Sequence, residues 1–378
     1  MINLIFKILF CSKISSMKNR YIGIMSGTSL DGIDIALCQI DENSSTLEAS
    51  ITTPFEPQLR DEILDIINST TTLKQIGEID HRLALEFAKG VNSLLKKIDL
   101  NPKDISAIGL HGQTLWHEPN SNYPFSMQLG NPSIVATQTG IDVVAHFRDK
   151  DIAQKGQGAP FAPAFHYEMF GNIPNCAVVN IGGMANITIL SSPIIGYDTG
   201  CGNVLMDIWI KDILNKPYDK DGTWAKSGNI HKPLLKKLLS DDYFRLNYPK
   251  STGREYFNKD FLRKYLEPFD KIAYEDIQAT LLALTVHSIA NEIKKFNIKR
   301  VLVCGGGAKN RYLMDSLQSE LDDIVVDTTD SYGVNGDDIE AMIFAWLAYK
   351  RLRNENINLK TVTGAKKNTI LGGIYASD

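Results

Sequence analysis

Tyr21-Ile-Gly-Ile-Met25, Ser26-Gly-Thr-Ser-Leu-Asp-Gly32 and Ile33-Asp-Ile-Ala-Leu-Cys38 follow one another near the start of a chain of 378 residues. Two apolar runs around a turn of Gly, Ser and Thr are the signature of a β-hairpin. The same design returns at Ala177-Val-Val-Asn-Ile181, Gly182-Gly-Met-Ala-Asn186 and Ile187-Thr-Ile-Leu190. What comes after each hairpin also corresponds. Residues 72–98 place apolar side chains at helical spacing (Leu73, Ile76, Ile79, Leu83, Phe87, Val91), then a short strand Ala107-Ile-Gly-Leu110 ends in His111-Gly-Gln-Thr114. Residues 275–296 read as a second amphipathic helix (Ile277, Leu281, Leu284, Ile289, Ile293), then Arg300-Val-Leu-Val-Cys304 ends in Gly305-Gly-Gly307. Hairpin, helix, strand and glycine turn, twice over, predict two α/β domains of related topology whose glycine hairpins face a shared cleft.

Between the hairpins, Gly156-Gln-Gly-Ala-Pro160-Phe-Ala-Pro163 is too rich in Gly and Pro for a regular element and marks a loop near the domain junction. That loop and the stretch 333–338 are where the chain is expected to flex. Residues 217–259 are polar and mixed and read as a helical insertion, and a helix from Asp337 to about Arg353 precedes an edge strand over 369–376. The division expected is an extension outside the fold (1–16), an N-terminal domain (17–145) and a C-terminal domain (146–354), with 355–378 able to return to the first. In the extension, Lys7 and Lys13 interrupt a short apolar run and no small-x-small site follows, which reads as an upstream start ahead of Met17 rather than an export signal.

Composition narrows the function classes. With 43% hydrophobic and 22% charged residues the chain matches globular proteins, and a net charge of −4 without long charge runs gives no footing to nucleic acid. Cys11, Cys38, Cys176, Cys201 and Cys304 form no Cys-x-x-Cys pair, which argues against a disulfide framework or structural zinc and for a reducing compartment. No apolar stretch reaches the ~20 residues that span a bilayer. A cytoplasmic protein acting on small molecules, with no membrane partner, is expected, and a homodimer is compatible.

Several motifs point to phosphate chemistry. In Gly27, Thr28, Ser29, Leu30, Asp31 and Gly32 the glycines let backbone N–H groups approach an anion and the hydroxyls add donors, but a Walker lysine is missing and the turn opens a strand. Gly182, Gly183 and Asn186 occupy the equivalent turn, and two such turns would clamp a polyphosphate. Asp31 beside phosphates calls for a cation, and Mg²⁺ suits one or two carboxylates plus phosphate oxygens; an Asx turn explains Asp31 equally well. Gly196-Tyr-Asp-Thr-Gly-Cys-Gly-Asn203 sets Asp198 among three glycines where a general base can face a ligand, while Asn203 caps the next helix. Gly305, Gly306 and Gly307 after a buried strand suit a nucleotide. His111 lies at a strand end where sites form. No Gly-x-Ser-x-Gly elbow anchors a hydrolase triad.

Met25-Ser-Gly-Thr-Ser-Leu-Asp-Gly-Ile-Asp34, Gly109-Leu-His-Gly-Gln-Thr114 with His117-Glu-Pro119, Gly156-Gln-Gly-Ala-Pro160, Asn180-Ile-Gly-Gly183, Tyr197-Asp-Thr-Gly200 and Lys250-Ser-Thr-Gly-Arg-Glu255 together resemble the anhydro-N-acetylmuramic acid kinase family, from about Met17 to Asp378. The resemblance implies two actin-like, ribonuclease H-like α/β domains around a central ATP and substrate cleft. It implies that ATP and water open the 1,6-anhydro ring of an amino sugar while the freed O6 is phosphorylated, giving N-acetylmuramic acid 6-phosphate in peptidoglycan recycling. Asp198 then matches the catalytic acid, Gly27 to Asp34, Ile33 included, match the ATP loop, and Glu340 matches an acid near the sugar. His111 and Arg148 are assigned to the same substrate. One departure is visible: Cys201 stands where the family usually has a proline that would stiffen the turn. An ordinary carbohydrate kinase of the same fold, consuming no water, and an actin-like ATPase with a conformational output are the competing readings.

Overall fold

A computed structural model of the chain describes residues 19–27, 30, 32–42, 44–269 and 271–378. The expectations placed on 1–16, Met17, Thr28, Ser29 and Asp31 lie outside the described residues. Two compact units form: the described residues up to Phe165 together with Asp338–Asp378, and His166–Asp337.

In the first unit β1 (Arg20–Ser26), β2 (Ile33–Ile40) and β3 (Ser45–Thr53) make an antiparallel meander. Next, β4 (Ala107–Glu118) runs parallel to β1, β5 (Phe125–Leu129) pairs with its outer half, and β6 (Val143–Ala145) runs parallel to β4. The second unit repeats the plan. There β7 (Cys176–Ile181), β8 (Met184–Ile189) and β9 (Ile195–Cys201) form the meander, and β10 (Arg300–Cys304) and β11 (Val325–Thr328) continue in parallel beyond β7. The strand orders, β3-β2-β1-β4-β6 and β9-β8-β7-β10-β11, are the same arrangement of antiparallel and parallel neighbours. Finally β12 (Gly373–Tyr375) pairs with β6, so the C-terminal strand returns to the first sheet.

Burial explains why these runs are strands. Ile22, Ile24, Ala177, Val178 and Val179 are all buried, because both faces of each central strand are covered. Over the first sheet, the helix Leu73–Lys97 starts at a Thr72–Gln75 capping box and buries Leu83, Phe87, Val91 and Leu94. The helix Ile339–Leu352 packs on β1, β2 and β4. Its backbone comes so close that a Cβ on Gly23 or Gly109 would collide with the carbonyls of Ala341 and Phe344.

Three sequence expectations change. Residues 146–165 and the helix Ile339–Leu352 belong to the first unit, so the boundaries fall at 165/166 and 337/338 instead of 145/146 and 354/355. The Gly156–Pro163 loop ends just before the boundary at 165/166, and within the first unit Gly158 N–H donates to Asp151 Oδ2 (2.7 Å) and Gln157 N–H to the Thr363 carbonyl (2.9 Å). β4 does not end at Leu110 but runs on through His111–Thr114, with Gly112 at φ 78° absorbing the irregularity. The helix Tyr274–Ile293 is buried on nearly all sides, since the helices of the 217–266 region cover the face that its pattern leaves for water.

Candidate active site

Asp198 lies on β9, the edge strand of the second sheet, beside a bulge that offsets Ala185–Gly200 from Asn186–Asp198. It is therefore part of a strand rather than a turn, and Asn186 faces it from β8 rather than standing in the glycine turn. The open edge is covered by residues 250–252. The Asp198 N–H donates to the Lys250 carbonyl (3.1 Å), the Thr252 N–H donates to Asp198 Oδ2 (3.0 Å), and the Tyr243 hydroxyl donates to the Asp198 carbonyl (2.8 Å). Burial raises the carboxyl above its usual range; the Thr252 N–H opposes this and the Glu255 charge adds to it. A half-buried, single-donor carboxylate with raised basicity is suited to take a proton.

Next to it the Gly182–Gly183 turn folds onto the start of the helix Val204–Leu214. The Gly183 carbonyl accepts from Gly202 and Val204 N–H, and the Gly182 carbonyl accepts from Asn203 N–H (2.8 Å). Asn203 holds the cap position, yet its side chain donates to the Ile181 carbonyl (3.3 Å) instead of capping the helix. A Cβ on Gly182 would meet only Met184 O at 3.5 Å, so that side of the turn has room for a ligand.

A cavity of about 480 Å³ opens beside Gly306, Asn203, Asp207, Tyr218, Lys309 and Asn310. Of the three glycines only Gly306 lines it. Gly305, at φ 79°, and Gly307 are packed against Asn180 and Ile181, where a Cβ would collide. The opposite wall, Tyr218–Asp221, comes from the stretch read only as an insertion. Asp219 anchors it by accepting from Trp224 and Ala225 N–H (both 2.9 Å). Burial pushes the Asp207 carboxyl up to about 6, with Arg254 opposing and Asp219 reinforcing.

In the first unit, Leu30 N–H donates to the Gly27 carbonyl (3.2 Å), which closes the turn before β2. Asp34 on β2 accepts from the Thr52 hydroxyl (2.7 Å). Glu340, accessible to solvent yet hemmed in by protein, has its carboxyl raised by desolvation and then by Asp34. Elsewhere in the same unit, Arg148 Nη2 donates to His111 Nε2 (2.8 Å). Burial and Arg148 drive the imidazole down to about 3, so it is neutral and accepts. Burial alone draws the guanidinium down to about 10, no carboxylate pairs with it among the described residues, and its Nε has no partner.

The family model described as anhydro-N-acetylmuramic acid kinase matches residues 19–377. The chain belongs to that family. It is thus a kinase, a phosphotransferase that uses ATP. Over 360 residues it is 54% identical to the anhydro-N-acetylmuramic acid kinase of Sulfurovum sp., spanning 95% of this chain and 99% of that one. To the protein of that name from Aliivibrio fischeri it is 48% identical over 368 residues, 95% of this chain and all of the relative. Among solved structures, the activator of 2-hydroxyisocaproyl-CoA dehydratase from Clostridium difficile is similar at 13% identity and a TM-score of 0.40, covering 88% of this chain and 97% of its own, too loose a likeness to bear on function.

Within each unit the sequence-derived residues fall into groups. Asp198 and Asn186 pair across β8 and β9, while Gly182 and Gly183 cap the neighbouring hairpin. Gly306 opens on the cavity, Asp34 stands near Glu340, and His111 bonds Arg148. Asp207 and Tyr218–Asp221 were missed, for nothing in a polar insertion marks which residues fold back on a glycine turn. The Lys250–Glu255 motif was noticed but given no role, although its backbone holds Asp198.

Proposed function

We propose that this family member uses ATP and water to open the 1,6-anhydro ring of 1,6-anhydro-N-acetylmuramic acid and phosphorylates the freed O6, yielding N-acetylmuramic acid 6-phosphate for cell-wall recycling. The observation that carries the reading is Asp198, a desolvated carboxylate with raised basicity held by one backbone N–H. It removes a proton from the water that attacks the anomeric carbon. The C1–O6 bond breaks, and O6 takes the γ-phosphoryl group of ATP as ADP leaves. The cavity at Gly306 offers space for the nucleoside, and Gly182 and Gly183, whose turn is bonded to Asn203 in the cavity wall, supply phosphate contacts.

Arg148 supports the substrate class. A largely desolvated guanidinium with a neutral imidazole as partner and, among the described residues, no carboxylate counter-ion suits the lactyl carboxylate that sets muramic acid apart from other hexosamines. For Mg²⁺, Asp31 and Asp34 would be the two carboxylate ligands, and the charge that Asp34 exerts on Glu340 is of the kind a cation relieves. When bound, Mg²⁺ neutralises charge on the phosphates. The four described cysteines are buried, which fits a cytoplasmic setting.

A coupled assay with ATP compares the anhydro sugar, the ring-opened sugar and an anhydro hexosamine without the lactyl group. Turnover of the first alone is expected, and Arg148→Met should raise KM for it while leaving KM for ATP unchanged. Equal turnover of the ring-opened sugar would instead make the protein an ordinary hydroxyl kinase.

A further inference from the structure

Behind β9 lies a buried charge cluster for which the mechanism above has no use. Near the end of the helix Tyr274–Ile293, Glu292 meets Lys250, their side chains only 4% and 2% exposed. Lys250 Nζ donates to Glu292 Oε1 (2.7 Å), the Tyr197 hydroxyl donates to Oε2 (3.0 Å), and Lys295 Nζ lies 2.6 Å from Oε2. Burial pushes the Glu292 carboxyl up, but the bonds and charges of Lys250 and Lys295 outweigh it and hold it below the usual range. Taking such ions out of water costs several kcal/mol each, and apolar side chains of the same volume often stabilise a core as well or better. Packing alone does not call for an ion pair here.

The contacts of Asp198 lead back to this pair. Tyr197, bonded to Glu292, is its chain neighbour. Lys250 offers the carbonyl that takes the Asp198 N–H, and Tyr243, whose ring lies 4.9 Å from Lys250 Nζ, donates to the Asp198 carbonyl. Thr252, which bonds the carboxylate itself, is two residues beyond Lys250.

We propose that the Lys250–Glu292 pair is a positioning device. By fixing the side chain of Lys250 in the core, Glu292 pins residues 250–252 along the open edge of β9 and so aims and tunes the Asp198 carboxylate. The inference rests on the reading of Asp198 as the base. A backbone segment without a ladder of its own would otherwise be free to shift, and a displacement of ~1 Å at a reacting group can cost ~10²-fold in rate.

Variants of Lys250 and Glu292 test it. In Lys250→Met, Glu292 keeps Lys295 and Tyr197, so no charge is left unpaired and the fold should persist in thermal unfolding. Its kcat with the anhydro sugar should fall by about tenfold or more with KM for ATP unchanged, and Lys250→Arg should recover part of the loss. In an Asp198→Asn background, Lys250→Met should change the residual rate by less than about twofold. Losses that multiply in the double variant, or a kcat that follows only the folded fraction, would overturn the proposal.

The second readout does not depend on turnover. Carboxyl-carbon NMR of Glu292→Gln, with the Asp198 signal assigned by Asp198→Asn, reads the pKa directly. Glu255, Tyr243, Lys250 and Glu292 are the titratable and charged groups around Asp198, and removing the negative charge of Glu292 would by electrostatics alone lower its pKa. A loosened Thr252 N–H bond raises it. A rise supports positioning, while no change or a fall overturns it. Wild-type protein inert toward the anhydro sugar would refute the proposed reaction, and the NMR titration would still decide the positioning.

Discussion

At the scale of single residues, reactivity is set by what surrounds a carboxylate or an imidazole, not by its type. Asp34 and Asp198 are both strand aspartates, yet Asp34 accepts from the Thr52 hydroxyl while Asp198 accepts from the Thr252 N–H and has its carboxyl raised by burial. Its basicity therefore responds to Glu255. Activity should fall on acidification as Asp198 takes up its proton, at a pH above the ordinary carboxylate range. Glu255→Gln removes a negative charge and stabilises the ionised form, so the acid limb of kcat/KM should move to lower pH. A limb that stays in place, or moves up, would mean that another group controls it.

At the scale of elements, glycines that look alike in sequence do different work. Gly305 sits at φ 79° with Asn180 against the position of its missing Cβ, whereas Gly306 has only Asn203 Nδ2 nearby, at 3.8 Å. Gly305→Ala should destabilise by about 1 kcal/mol or more, because a side chain at positive φ is strained whatever the space. Gly306→Ala should leave thermal stability almost unchanged and raise KM for ATP, since the new methyl group enters the cavity. Melting curves and ATP titrations of both variants distinguish the roles, and a Gly306 variant that melts early with normal KM would count against the cavity as the nucleotide site.

For the whole molecule, two buried imidazoles tie stability to pH. His111 and His166 are driven down to about 3 by burial, against about 6.5 in an unfolded chain. Between these values the unfolded chain binds protons that the folded chain refuses, so stability falls as pH falls through this window. The melting temperature should drop from about pH 7 to about pH 5, ahead of most carboxylate titration. His166 is held by the Thr188 hydroxyl (2.9 Å), so His166→Asn should melt lower at neutral pH but lose less on acidification. Equal slopes for wild type and variant would show that His166 is not excluding a proton.

The β1–β2 and β7–β8 hairpins, the helix from Leu73, and β10 with its glycine turn were legible in the sequence, whereas β3 and the strand character of residues 195–201 were not. Each of the former depends on contacts local in the chain: alternation of apolar residues, helical spacing, a glycine where the backbone must turn. Local pattern also suggested that the halves repeat, and the matching strand orders show that they do. The extent of β4 beyond Leu110 was hidden because β5, some fifteen residues on, supplies the partner that keeps it extended. The helix Tyr274–Ile293 read as amphipathic because the cover over its other face comes from residues far along the chain. The unit boundaries, the bonds that residues 250–252 make to Asp198, and the cavity wall at Tyr218–Asp221 are long-range pairings of polar groups. Backbone N–H groups and carboxylates carry no sequence signal for the partner they find, so only the tertiary structure could decide them.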